Sequence, residues 1–169
     1  MTAANPRLPR WAEVHRLAVA GGETVIARDT GDRLGWVLLA RSRYAEVDNL
    51  TTATLTLGPH ARAFYQRGWS RRSNGRPRPA LEDYQHAIDL YRQAGDRAGE
   101  AATLANIGHL YGGRGDRAQA LAYFEQALPL MREVGDRAGE AATLANIGHL
   151  YDGLGDRAQA WPTSSRPCP

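Results

Sequence analysis

The sequence predicts an all-α protein built from antiparallel helical hairpins stacked side by side. Three observations carry this. The stretch GDRAGEAATLANIGHLY occurs at 95–111 and returns at 135–151, an offset of 40 residues. Gly-Asp-Arg-Ala recurs at 95, 115, 135 and 155, so each 20-residue beat holds one helix and one turn. Between the turns the apolar residues keep helical spacing: Leu104, Ile107, Leu110 and Tyr111, then Leu121, Phe124, Ala127 and Leu128.

Taken in chain order, residues 1–59 carry the faintest form of the pattern and read as degenerate helical hairpins at the N-terminal end of the array. WAEVHRLAVAGGETVIARD (11–29) reads as a helix that Gly21-Gly22 weakens or kinks. TGDRLG (30–35) echoes the later turns, and RYAEVDNLTTATLTLGP (43–59) reads as the second helix of a hairpin. Residues 60–94 hold an older copy. There Gly68, Gly75 and Ala80 stand 40 residues before Gly108, Gly115 and Ala120, while Tyr84 and Ala87 anticipate Phe124 and Ala127.

Residues 95–134 and 135–160 are near-identical copies. Over 95–120 and 135–160 only Gly112/Asp152 and Arg114/Leu154 differ, which implies a recent duplication. Glycine at each turn accepts the left-handed conformation that ends a helix. The aspartate beside it can accept from the free amides that start the next one, and Asp116 with Gln119 has capping-box spacing. Gly108 and Ala120 are small where two helices must approach closely. A helical glycine costs roughly 1 kcal/mol relative to alanine, so its recurrence points to packing.

The last nine residues, WPTSSRPCP (161–169), break the pattern. A GC-rich spelling of LAYFEQALPLM, read after loss of its first base, yields this same string followed by a stop. The expectation is a disordered, frameshifted tail after a truncated third copy (135–160). Leu144, Ile147, Leu150 and Tyr151 would then keep an exposed side, and the uncapped helix would tend to self-associate.

Leu104, Ile107-Gly108 and Tyr111, followed by Ala120, Phe124 and Ala127, resemble the signature of the tetratricopeptide repeat. In the upstream copy Phe64, Gly68, Ala80, Tyr84 and Ala87 fill the same places, with Arg67 and Arg71 departing at apolar slots. The period exceeds the roughly 34 residues of the usual repeat and resembles the kinesin-light-chain-like subclass. The resemblance covers 60–160 and implies a right-handed α-solenoid. In that fold the first helix of each hairpin lines a concave groove that takes a peptide or partner segment.

Carried over by position, the groove would present Arg62, Tyr65, Gln66, Trp69 and Arg72 from the first clear copy. The next copies would add Ala102, Ala105, Asn106 and His109, then Ala142, Ala145, Asn146 and His149. Related arrays use asparagines equivalent to Asn106 and Asn146 to hold a peptide backbone. An amide side chain offers both a donor and an acceptor, as an extended peptide does. Trp69 and Tyr65 would be rigid anchors, and Arg62 and Arg72 would pair with carboxylates. Set against these roles are ordinary solvent-facing polarity or an inter-helix hydrogen bond for the asparagines, and core packing for Trp69.

Composition narrows the remaining classes. All 21 basic residues are arginine and the net charge is only +3, a pattern of GC-rich, bacterial coding and not of a nucleic-acid surface. Six arginines (Arg62, Arg67, Arg71, Arg72, Arg76, Arg78) nevertheless fall within 60–79 without one acid. They form either a solvated helix face or a patch for an acidic partner. Nucleic-acid binding through them ranks low, because lysine is absent and aromatics do not recur in each repeat.

No apolar run approaches the roughly 18 residues of a membrane span, and MTAANPRLPRW lacks the apolar stretch of a secretory signal, so a cytoplasmic protein without a membrane partner is expected. Cys168 is the only cysteine. His109 and His149 should stand about one helix diameter, roughly 10 Å, apart. That is too far to share a metal at bond lengths of about 2 Å. Gly112-Gly113-Arg114-Gly115 has neither the preceding strand nor the Gly-Lys-Ser/Thr ending of a phosphate loop. No catalytic constellation, cofactor or metal is therefore expected. The expected function is a non-catalytic protein–protein interaction scaffold. The alternatives are a truncated fragment of a larger bacterial signalling or transcriptional regulator, or a weak nucleic-acid binder.

Overall fold

The computed structural model describes residues 7–152, which form eight helices and, among the described residues, no strand. They are α1 (Arg7–Ala20), α2 (Thr24–Leu39), α3 (Tyr44–Leu55), α4 (Ala61–Ser73), α5 (Pro77–Ala94), α6 (Arg97–Gly113), α7 (Arg117–Glu133) and α8 (Arg137–Asp152). The chain divides into two compact units between Ala94 and Gly95. The segment 161–169, with its expected frameshift, lies outside the described residues.

The turns follow one recipe. After α1, α4, α6 and α7 the chain passes through a left-handed glycine, Gly22, Gly75, Gly115 and Gly135, with φ between 69° and 79°. After α6 the amide of Gly115 donates to the Gly112 carbonyl and that of Asp116 to Tyr111, both at 3.0 Å, which closes the helix end. Ser42 does the same after α2 without being glycine, at φ 55°. Aspartate then opens the next helix: Asp96, Asp116 and Asp136 each accept a backbone amide three residues on, from Gly99, Gln119 and Gly139 at 2.8, 3.1 and 2.9 Å.

In the first unit α1 packs on α2 and α3, and the hairpins α2–α3 and α4–α5 lie beside each other. Leu34, Leu38, Leu39, Val47 and Leu50 form a buried cluster against which Leu8, Tyr44 and Trp69 pack. In the second unit α6 and α7 form a hairpin and α8 packs on α7, with an edge touching α6. The glycine of each first helix admits the aromatic of its partner. A Cβ on Gly68 would stand 2.8 Å from the Tyr84 ring, and one on Gly108 would stand 2.8 Å from that of Phe124.

The N-terminal third departs from its sequence reading in two places. Gly21-Gly22 does not kink one helix over 11–29; it separates α1 from α2. TGDRLG (30–35) is not a turn but lies inside α2. Its glycines serve close approach: a Cβ on Gly31 would lie 3.2 Å from the His15 ring, and one on Gly35 would collide with the Gln66 amide. The same three letters, Gly-Asp-Arg, thus end a helix where φ is positive and continue one where a neighbour presses on the glycine.

Candidate peptide-binding face

The first helices of the hairpins, α2 and α4 in one unit and α6 and α8 in the other, carry the sequence-predicted groove residues and are described unit by unit.

On α2 and α4 the prominent feature is a cluster of three rings. Trp36 lies 5.8 Å from Tyr65 and 5.7 Å from Trp69, and Tyr65 and Trp69 are 6.0 Å apart, with edge-on geometry at Trp69 in both its contacts. Such arrangements stabilise beyond the apolar area they bury. Trp36 is 41% exposed, whereas Tyr65 is 6% exposed and Trp69 is half-buried against the leucine cluster. Trp69 thus packs in part against the core, the alternative weighed for it, and keeps part of its surface exposed. Trp36 was not foreseen, because the turn reading of 30–35 interrupts the helix that carries it.

Gln66 requires a correction. It is fully buried and its Nε2 donates to the Asp32 carbonyl at 2.9 Å, tying α4 to α2, so it is a structural link and not a groove residue. Tyr65 is likewise buried and offers at most an edge. Arg62 stays exposed and reaches Asp32 at 3.4 Å, beside His60 at 2.9 Å. Arg72 is half-buried and, among the described residues, has no ion-pair partner.

The wider arginine patch also changes meaning. Asp83, almost fully buried, receives Arg67 at 2.7 Å and Arg71 at 2.9 Å, while Arg71 also pairs with Asp48 at 2.9 Å. Burial pushes the Asp83 carboxyl above its usual range, against the downward pull of Arg67 and Arg71. Asp32, Asp48 and Asp83, supplied by α2, α3 and α5, thus offset half the charge of the six arginines at 60–79 and hold Arg62, Arg67 and Arg71 in pairs, so the run is not one free cationic surface.

On α6 and α8, His109 is exposed and stands edge-on to Phe124 at 5.2 Å, with the Asn146 Nδ2 at 3.5 Å from its Nε2. The structure so brings together two of the predicted residues from neighbouring repeats. The Asn106 Nδ2 donates to the Ala102 carbonyl of its own helix at 3.0 Å, a back-bond that fixes the amide's orientation. Ala102 is half-buried and Ala105, at 9% exposure, is buried, so Ala105 does not line an open surface. Ala142, Ala145 and His149 are exposed on α8 and Asn146 is half-buried. Among the described residues no group of three His, Cys, Asp or Glu side chains could hold a metal ion, and no helix is long and apolar enough to cross a membrane.

A separate recess of about 520 Å³ opens between α1, α2 and α3, floored by Leu8, Ala12, Leu34, Leu38 and Leu50 and rimmed by Arg43, Glu46 and Asn49. Nothing in the repeat pattern signalled it, because it depends on how α1 meets α3.

Comparison with known proteins gives a consistent picture. The tetratricopeptide repeat family model matches residues 60–133 and 99–160. Among curated proteins no sequence matches at a significant level. Solved structures do match. The crystal structure of BtubC (BKLC) from P. vanneervenii superposes with a TM-score of 0.77 at 15% identity, covering 97% of this chain and 80% of that one. A MamA protein structure gives 0.64 at 17% identity over 93% and 87% of the two chains. The nearly identical TPR-like repeats of a Podosopora anserina putative kinesin light chain give 0.62 at 13% identity over 91% and 89%. At these identities the likeness is one of fold, that of helical-repeat solenoids.

Proposed function

Because this chain belongs to the tetratricopeptide repeat family, we propose that it is a non-catalytic scaffold that binds extended or helical segments of a partner protein on the first-helix faces of its units. The observation that carries the proposal is the Trp36–Tyr65–Trp69 cluster, in which Trp36 stays 41% exposed while α4 carries Arg62 before and Arg72 after the Tyr65–Trp69 pair. Rigid aromatics that lose little entropy on contact are the usual anchors of a protein interface. Arg62 and Arg72 flank them and favour a partner segment that carries an apolar anchor next to carboxylates. On the second unit Asn106, Asn146, His109 and His149 supply donors and acceptors suited to a peptide backbone.

The test is a pull-down with the full chain, followed by titration of the captured segment. Trp36→Ala should weaken binding by tenfold or more in order of magnitude, as expected for loss of an interface anchor. Asn106→Ala with Asn146→Ala should weaken it further, while Arg62→Ala with Arg72→Ala should flatten its salt dependence. Undiminished binding by both the Trp36 and the double-asparagine variants, each still helical, would sink the reading.

A further inference from the structure

A tyrosine pair lies ring to ring in each unit, and the two pairs differ in every respect that oxidation chemistry reads. Tyr65 of α4 and Tyr84 of α5 stand 6.1 Å apart with their planes inclined at 57°, and both are buried, at 6% and 0% exposure. Tyr111 of α6 and Tyr123 of α7 stand 5.5 Å apart with their planes inclined at 9°, and both are half-buried, so each keeps a part that solvent reaches.

The second pair is offset-stacked. Ring planes in contact lie about 3.5 Å apart, so centroids at 5.5 Å mean that the rings are slid past each other by roughly 4 Å. They overlap at their edges, with π faces still turned toward one another. Arg114 lies over the Tyr111 ring at 5.9 Å and helps to hold it flat. Burial, and after it the Tyr111 phenol, pushes the Tyr123 hydroxyl above its ordinary value, so the two phenols are near neighbours.

A phenol gives up one electron together with its proton. The radical left behind carries spin on oxygen and on the ring carbons beside the oxygen-bearing one. Two such radicals join through those carbons, along p orbitals that stand perpendicular to the rings. Rings that face each other and overlap at their edges are the arrangement this bond needs. Held in one hairpin, they meet at an effective concentration far above that of any second chain in dilute solution. Tyr65 and Tyr84 do not qualify. Their rings are tilted, both are sealed from an oxidant, and the Tyr84 hydroxyl has no hydrogen-bond partner to take its proton.

We propose that Tyr111 and Tyr123 form an oxidative crosslinking site, at which a one-electron oxidant of the haem-peroxidase class, fed by hydrogen peroxide, converts the pair to dityrosine and staples α6 to α7. Each phenol gives up one electron and one proton. One hydrogen peroxide takes both electrons and both protons and becomes two waters. The new bond joins one ring carbon of Tyr111 to one of Tyr123. The hydrogen on each of those carbons then moves to the phenol oxygen, which restores both aromatic rings. Neither residue belongs to the proposed peptide-binding face, so this site and that reading stand or fall separately.

Treating the full chain in dilute solution with a haem peroxidase and limiting hydrogen peroxide tests this. A monomer lighter by two hydrogen atoms should appear with dityrosine fluorescence, and proteolytic mapping should join the peptides of Tyr111 and Tyr123. Tyr111→Phe and Tyr123→Phe, each with wild-type helix content, should lower the yield of linked monomer by about tenfold or more. Tyr84→Phe should leave it unchanged. In urea, where the stack is gone, the same dose should spread the linkages over other tyrosines. A wild type that gives no dityrosine or only chain-to-chain dimers, a monomer linkage that maps elsewhere or survives either substitution, or an identical map in urea overturns the proposal.

Discussion

Arg71 donates to Asp83 at 2.9 Å across the α4–α5 hairpin, and the same two positions forty residues on hold Tyr111 lying flat against Tyr123, with ring centroids 5.5 Å apart. One step away, Arg67, also paired with Asp83, stands where Ile107 is fully buried. The same hairpin geometry is thus closed once by a charged triad and once by an apolar one.

The two solutions differ in how they fail. Removing Asp83 leaves two largely buried guanidiniums with their principal acceptor gone, and breaking such a network costs about 3–5 kcal/mol. Replacing the whole triad by the residues of the next repeat, Arg67→Ile, Arg71→Tyr and Asp83→Tyr, should be neutral or stabilising by about 1–4 kcal/mol, because the desolvation penalty goes with the charges. Urea unfolding of Asp83→Ala and of the triple variant checks both. A triple variant weaker than Asp83→Ala would mean that the charged triad shapes this hairpin in a way the apolar one cannot reproduce.

This triad also shows what the sequence could and could not tell. The helices, their turns and the glycine–aromatic contacts follow from local chemistry repeated at a fixed spacing, so they are legible wherever the repeat is intact. Arg67 and Arg71 look misplaced in a list of apolar slots, because their partners Asp48 and Asp83 belong to other helices. Gln66 reads as a groove residue for the same reason, since its acceptor is a carbonyl on α2, 34 residues away. Trp36 was hidden by a local motif, Gly-Asp-Arg, whose meaning depends on a neighbour pressing on Gly31. In each case the missing information is tertiary.

Gly108 and Gly148 sit in identical seventeen-residue sequences, and the same substitution should move them in opposite directions. Alanine at 108 places a methyl group 2.8 Å from the ring of Phe124, which is 2% exposed and has no room to retreat. Overpacking of that kind costs about 1–3 kcal/mol and outweighs the gain of roughly 1 kcal/mol from better helix propensity. Alanine at 148 meets nothing among the described residues and should keep that gain. Thermal melts in dilute solution decide it; a loss at 148 as large as that at 108 would show that the chain itself packs against Gly148.

His15 should make the packing of α1 sensitive to acid. It is 4% exposed, and its Nε2 donates at 2.8 Å to the hydroxyl of Thr54, which itself donates to the Leu50 carbonyl at 3.0 Å. Burial pushes the imidazole below its ordinary 6.5, so the folded chain favours the neutral ring. A base depressed in this way contributes stability that is complete above its unfolded value. That stability is lost as pH falls from there through the lower folded value. The window therefore opens just below 6.5 and extends downward. Unfolding free energies of the wild type and of His15→Gln, measured from neutral to mildly acidic pH, should converge as the pH drops, since the variant has no imidazole to charge. Emission from Trp11, which lies on the same helix, should report the loosening of α1 first. Parallel pH profiles for the two proteins, or a measured His15 pKa at or above the ordinary value, would show that the ring is hydrated and that the Thr54 contact does not hold the helix.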